Sequence, residues 1–304
     1  MPRAGQVAID VHACALNFPD ILLCQGRYQW KPNLPFTPGI EVSGVVRSVG
    51  GGVTRVEVGD RVVAVPMFGY GGLVGTTLAA ESTTFRITDT ISFAKASALH
   101  VTYQTGHCAL HRRANIQPGE TLLVHAGAGG VGSAAIQLGK AAGARVIATA
   151  GGAAKARVCR DLGADVAVDY TNDDFVEAVK AATDGRGADV IYDPVGGDVF
   201  DRSRKCIAWE GRIIVVGFTG GRISDTPTNH AMLKNYSVVG LNMLSYLLYD
   251  SAIFDTTHAE LLRLHASKLI DPFVSEEITL EAVPDALVRL GDRGTVGKVV
   301  VRVR

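Results

Sequence analysis

The stretch LLVHAGAGGVGSAAIQLGKAAGARVIATAGG, residues 122–152, constrains this chain more than any other. An apolar run leads into Gly127, Ala128, Gly129, Gly130, Val131 and Gly132, and a small-residue helical pattern follows. The spacing is G-x-G-x-x-G, and a strand before it with a helix after it is the context that motif requires. Each glycine is needed for its own physical reason. Gly127 permits a tight turn, Gly129 lets backbone reach a pyrophosphate, and Gly132 lets helix and strand pack closely. The helix starting near Gly130 aims free N–H groups and its positive dipole end at the same place. The stretch therefore predicts a βαβ unit that binds a dinucleotide.

Neighbouring segments extend this unit into a doubly wound sheet. Gly143-Ala-Arg-Val, Gly163-Ala-Asp-Val and Gly187-Ala-Asp-Val each follow a helical stretch and open an apolar run, "ARVIATA", "ADVAVDY" and "ADVIYDP". Glycine suits the left-handed position just past a helix end, and the β-branched run then enters a sheet. With "TLLVHA" before them and "RIIVVGF" and "YSVVGL" after, the pattern gives six parallel strands with helical crossovers.

Residues 1–101 have another rhythm. "QVAIDVHA", "VSGVVRSVG", "GDRVVAVP" and "FRITD" are short strand-like runs between Gly, Pro and Asp turns. The uncharged run at 62–80 is broken by Pro66, Gly69, Gly71, Gly72 and Gly75, so it reads as strand, turn and strand, not a membrane span. The tail ends in "TVGKVVVRVR", a last strand expected to rejoin the first domain. The expected division is 1–101 with 243–304 as one β-rich domain and 102–242 as an inserted dinucleotide domain, with the cleft between them.

Charge and cysteine usage narrow the function classes. Lys plus Arg and Asp plus Glu number 30 each, so bulk electrostatics draws the chain neither to nucleic acid nor to an anionic membrane. Cys14, Cys24, Cys108, Cys159 and Cys206 form no CxxC pair, which predicts reduced thiols in a cytoplasmic protein. "MPRAGQVAIDVHA" lacks the apolar core of a secretory signal. The paired acids Asp173/Asp174 and Glu276/Glu277 read as solvated charges, and no GxSxG elbow is present.

The nature of the dinucleotide follows from what lies beyond the second strand. An NAD site places an acid about 20 residues on to hold the ribose diol. Here "ATAGGAAKAR" carries no acid, and Lys155 and Arg157 follow the glycines. A bare turn beside a cation tolerates a 2′-phosphate that a carboxylate would repel, so NADPH is expected.

"ALNFPDILLCQGRY", "PFTPGIEVSGVV", "GDRVVA", "HAGAGGVGSAA", "GADVAVDY", "IYDPVGG", "VVGFTGGRI", "LKNYSVVG" and "TVGKVVV" together resemble the zinc-free, zeta-crystallin-like quinone oxidoreductases of the medium-chain dehydrogenase/reductase superfamily. The likeness covers nearly the whole chain. It implies a Rossmann domain inserted into a GroES-like catalytic domain and an NADPH-dependent reductase with the cofactor in the interdomain cleft. It further implies that Gly129, Gly130 and Val131 meet the pyrophosphate, and that Gly151, Lys155 and Tyr170 hold the adenosine phosphate end. Val195, Gly217, Phe218 and Thr219 would line the nicotinamide, with Thr105 near its ring, and Asn242 and Lys298 would also contact cofactor. On the substrate side it implies Asn17, Asp20 and Tyr28. Tyr28 and Asn17 would hydrogen-bond the acceptor's carbonyl oxygen while Asp20 orients its neighbours. It implies a small-molecule partner and a homodimer, for which "LKNYSVVGLNML" would be the edge strand.

Zinc-dependent relatives carry a Cys in the loop matching "LNFPD" and a His before the Glu matching "PGIE"; this chain has Asn17 and Ile40 there. Glu41 is expected to serve structure, and His107/His111 to be one side of an ordinary helix. Without a Lewis acid, quinones and electron-poor conjugated alkenes are the expected acceptors. The alternatives are an enone, enal or enoyl-thioester reductase and, from another class, a crystallin-like or RNA-binding protein. Two departures from the family pattern stand out. "YGGLVGTTLAA" replaces a phrase like "GGFAEY" beside the expected substrate side. The strand hairpin that precedes "GQVAIDV" in relatives is missing, which predicts an exposed edge on the strand carrying Val7, Ile9 and Val11 unless another segment covers it.

Overall fold

The computed structural model describes residues 1–304. In chain order the strands are β1 (Gln6–Ala15), β2 (Val42–Val49), β3 (Arg61–Pro66), β4 (Thr76–Arg86), β5 (Thr121–Val124), β6 (Arg145–Ala150), β7 (Val166–Asp169), β8 (Ala188–Asp193), β9 (Ile207–Val215), β10 (Ser237–Gly240), β11 (Val274–Ile278) and β12 (Lys298–Arg302). They form two sheets in two compact units. One unit is Met1–Thr102 with Phe254–Leu262 and Pro272–Arg304; the other is Tyr103–Ile253 with Arg263–Asp271.

In the first unit β1, β2, β3 and β4 are antiparallel neighbours, and Gln6–Asp10 of β1 pair back onto Ala80–Thr76 of β4, closing a small barrel. Ala13–Ala15 then pair with Arg302–Val300 of β12, which runs parallel to β11. Val7, Ile9, Val11, Val42, Val46, Val62, Ala64 and Val299 fill the interior, because alternate residues of a strand share one face. The expected exposed edge on β1 is therefore not found: β4 covers its first half and β12 its second. The strand expected at "FRITD" is also corrected, since it is only the end of the longer β4, whose threonines favour an extended backbone.

In the second unit all six strands are parallel, in the order β10-β9-β8-β5-β6-β7. Leu122, Leu123, Val124, Val146, Ile147, Val190, Ile191, Ile213 and Ile214 are fully buried, as strands covered on both faces require. Gly143, Gly163 and Gly187, the three helix-end glycines, have φ of 77°, 104° and 93°, the left-handed conformation their place demands. Chain order reverses where β5 lies between β6 and β8, and in such sheets ligands bind outside the strand ends at that switch point.

The return to the first unit is later than 243: residues up to Ile253 belong to the parallel-sheet unit, and Arg263–Asp271 go back to it. Gln137 shows why, donating to Asp271 O at 2.9 Å while its Oε1 accepts from Asp271 N. No helix is long and apolar enough to cross a membrane.

The strand-rich unit buries a histidine pair. His100, on α2 (Phe93–His107), is 2% exposed, and its ring lies 5.1 Å from Phe85 and 6.1 Å from His258. His258 bonds Arg86 O through Nε2, and Asp255 and Arg55 are the charges beside it. Burial, with a smaller effect of His258, holds His100 down to about 3. Its folded value lies below its unfolded one, so its stability share is complete above the unfolded pKa and drains away as pH falls. The native chain is expected to lose stability between about pH 6.5 and about pH 4 more steeply than His100→Leu, by up to about 1.4 kcal/mol per pH unit. Denaturant unfolding across that range checks this; parallel profiles would contradict it.

Candidate functional site

The glycine turn is built around one close approach. After β5, His125 leads to Ala126 in the left-handed region (φ 51°), and Gly129 N donates to Ala126 O at 2.9 Å. Helix α3 (Gly130–Ala141) then starts so near the turn that a Cβ on Gly132 would lie 2.1 Å from Ala126 O. One on Gly127 would meet Ala148 Cβ and Cys159 Sγ, each at 2.9 Å. The amino end of α3 has no side-chain cap, so its first N–H groups are left for an anion. Gly127, Ala128, Gly129, Gly130, Val131 and Gly132 thus form a cradle that side chains would fill, and it suits a pyrophosphate.

Beyond β6, Gly151 and Gly152 open α4 (Ala153–Asp161), with Lys155 half-buried near its start. Tyr170, just past β7 and 48% exposed, stands over Gly151: a Cβ there would lie 2.7 Å from the Tyr170 hydroxyl. Sequence reasoning missed Asp169 beside it. Asp169 accepts from the Thr171 hydroxyl at 2.7 Å, Gly152 N at 2.7 Å, Thr171 N at 3.1 Å and Asn172 Nδ2 at 3.0 Å. Those donors, led by the Thr171 hydroxyl, hold its carboxyl below the usual range. The one acid near this turn is committed to shaping it.

At the ends of β8 and β9 two loops are stitched together. Asp193 accepts from Val195 N at 2.8 Å and Gly196 N at 2.9 Å, and burial raises its carboxyl despite both donors. Thr219 donates to Pro194 O from its N–H at 3.1 Å and its hydroxyl at 3.0 Å, and Gly220 N reaches Val195 O at 2.8 Å. Val195, Gly217, Phe218 and Thr219 are therefore neighbours. Thr105 lies on α2, and Asn242 follows β10, exposed, at the start of a short 3₁₀ turn.

In the strand-rich unit Lys298 is 4% exposed, and its Nζ donates to Leu16 O at 2.9 Å, Asn17 Oδ1 at 2.7 Å and Glu41 Oε2 at 3.1 Å. Asn17 is held in the same network. Its Nδ2 donates to Ala15 O and Glu41 Oε2, each at 3.0 Å. Glu41, fully buried, also accepts from Val101 N at 2.5 Å. Such burial requires every lone pair and proton to find a partner, and the network does so by drawing on β1, α2 and β12. Asp20, in α1 (Phe18–Cys24), accepts from Asn17 N at 2.8 Å and from Gly39 N and Ile40 N at 3.1 Å. Burial pushes it up to about 6 against these donors. It fixes the entry to α1. Tyr28 is half-buried, and burial followed by the Asp20 carboxylate raises its hydroxyl pKa, keeping it a proton-bearing donor.

Residues 3–91 match the alcohol dehydrogenase GroES-like domain, and residues 130–261 match the zinc-binding dehydrogenase domain. The quinone oxidoreductase-like protein 2 of Rattus norvegicus is 41% identical over 300 residues, 98% of this chain and 85% of that protein. Among solved structures, Escherichia coli quinone oxidoreductase complexed with NADPH is similar at a TM-score of 0.91 and 30% identity, covering 99% of this chain and 93% of that one. CurK enoyl reductase is similar at a TM-score of 0.88 and 27% identity, covering 99% and 92%.

The zinc in the second domain's description finds no donor set here. No three His, Cys, Asp or Glu side chains come together to hold a metal ion, and Glu41 is bound to Lys298. The His107 and His111 rings lie 4.4 Å apart, tilted by 36°, where α2 passes into a π-helical turn at Cys108–Arg113. Glu41→Gln is expected to cost about 3–5 kcal/mol by stranding the Lys298 ammonium, and adding Lys298→Met should restore most of it. Equilibrium unfolding of single and double variants checks this; additive losses would contradict it.

Proposed function

The chain belongs to the quinone oxidoreductases of the medium-chain dehydrogenase/reductase superfamily, and on that premise we propose that it uses NADPH, without zinc, to reduce quinones or related electron-poor conjugated carbonyl compounds. The observation that carries the reading is the uncapped, glycine-lined end of α3 beside a turn where Lys155 and Tyr170 flank Gly151 and Asp169, at the end of β7, is engaged by Gly152 N and by Thr171 and Asn172. When bound, NADPH supplies a hydride from its nicotinamide ring.

The chain's part is placement and electrostatics. The α3 N–H groups and Gly127–Gly132 hold the pyrophosphate. Gly151, Lys155 and Tyr170 receive the adenosine 2′-phosphate, with Lys155 supplying the positive charge. Val195, Gly217, Phe218 and Thr219 line the nicotinamide, with Thr105 and Asn242 completing that side. Tyr28 donates a hydrogen bond to the acceptor oxygen as negative charge develops there. Asn17, Asp20 and Lys298 act behind it, fixing the loop that carries the substrate side.

A second reading, reduction of an enone or enoyl thioester, is favoured by the likeness to CurK enoyl reductase. The homodimer is part of the same proposal: β10 is the outer strand of the parallel sheet, with Val238 on it and Met232 and Leu233 nearby in α7 (Thr228–Lys234) exposed.

Two measurements test this. NADPH oxidation assayed in parallel against quinones and enones is expected to be faster with quinones; turnover of enones alone would favour the second reading. Dialysis against a chelator is expected to leave the rate unchanged, and a loss restored by zinc would overturn the metal-free mechanism.

A further inference from the structure

A buried polar relay behind the glycine turn has no part in the function described so far. His125, the residue before left-handed Ala126, is 1% exposed. Its Nε2 lies 2.8 Å from Ser203 Oγ and its Nδ1 3.0 Å from Thr149 Oγ1. Ser203 Oγ already gives its hydrogen to Val199 O at 2.7 Å, so it accepts from His125. The proton therefore sits on Nε2, and Nδ1 accepts the Thr149 hydroxyl hydrogen. Phe175, the first residue of α5 (Phe175–Ala182), closes the ring's surroundings edge-on at 4.9 Å. The ring is neutral, since burial and then Arg202 hold it down to about 3.

The three members sit on three separate elements: the end of β5, β6, and α6 (Gly197–Ser203). Thr149 is bound to the turn a second time, its carbonyl accepting from Gly127 N at 2.9 Å. The helix carrying Ser203 begins directly after Val195 and Gly196. Burying three polar side chains gives little net stability compared with apolar packing, so what the relay adds is a fixed relative position. We propose that His125 is a positioning residue that sets the spacing between the pyrophosphate turn and the Val195 loop, so that both halves of the dinucleotide are held at once. This rests on the NADPH reading above.

The consequence differs for a whole and a half ligand. Adenosine 2′,5′-bisphosphate carries the 2′-phosphate and one phosphate of the pyrophosphate, so it reaches the Gly151–Lys155–Tyr170 end and the glycine turn but not the Val195 loop, whereas NADPH must fit the turn and that loop together. In His125→Phe, affinity for NADPH is expected to fall about five- to tenfold, the size of one or two net hydrogen bonds. Affinity for adenosine 2′,5′-bisphosphate should stay within about twofold, and His125→Gln, which keeps one donor and one acceptor, should recover part of the loss. Thr149→Val and Ser203→Ala, each cutting one arm, give the same split should the Phe variant not fold. Nitrogen NMR of the native ring is expected to show the Nε2–H tautomer with no titration between about pH 5 and about pH 8. Equal losses for both ligands, or no loss for NADPH, would overturn the proposal. A native protein that binds neither ligand would instead overturn the cofactor reading on which it rests.

Discussion

The approach of Ala126 O to Gly132 is the constraint on which the nucleotide-binding half depends. An added Cβ would sit 2.1 Å from that oxygen, so nothing larger than glycine lets α3 begin where it does. That start leaves helix N–H groups uncapped at the switch point of the parallel sheet, where charge complementarity to a phosphate is strongest. A left-handed alanine, a side-chain-free helix turn and a buried histidine relay all serve the same few backbone atoms.

Buried polarity organises the other half. Lys298, Glu41 and Asn17 satisfy one another where β1, α2 and β12 meet, while Asp20 gathers backbone N–H groups from its own turn and from the loop at Gly39. Such networks are weak sources of net stability but strict about geometry. The loop that enters α1 is therefore held from beneath by charges that never reach the surface, and Tyr28, proposed to meet the substrate, stays half-buried.

Much of this was legible in the sequence. The parallel sheet announced itself through apolar runs opened by Gly143, Gly163 and Gly187, because helix-end glycine followed by β-branched residues has few other meanings. The cradle was legible because its chemistry is the absence of side chains. The bond between Lys298 and Asn17 was not legible, because a lysine in a strand and an asparagine in a turn reveal nothing of a partner 281 positions away. The β1 edge was misjudged for the same reason: closure onto β4 is a long-range pairing with no local signal. His125 offered a clue in "LLVHAGAGG", a polar residue ending an apolar strand, yet its partners Thr149 and Ser203 become visible only when β5, β6 and α6 are packed.

The phosphate selectivity proposed for the turn after β6 is the point where sequence, geometry and function meet. The neighbouring acid, Asp169 at the end of β7, is engaged by Gly152 N of that turn, and a lysine lies close behind the glycines. Calorimetric titration of the purified protein with NADPH and, separately, NADH is the most direct measurement. Clearly tighter binding of the phosphorylated form is expected, the gap narrowing as salt is raised; NADH bound equally well or better would contradict a 2′-phosphate site at this turn.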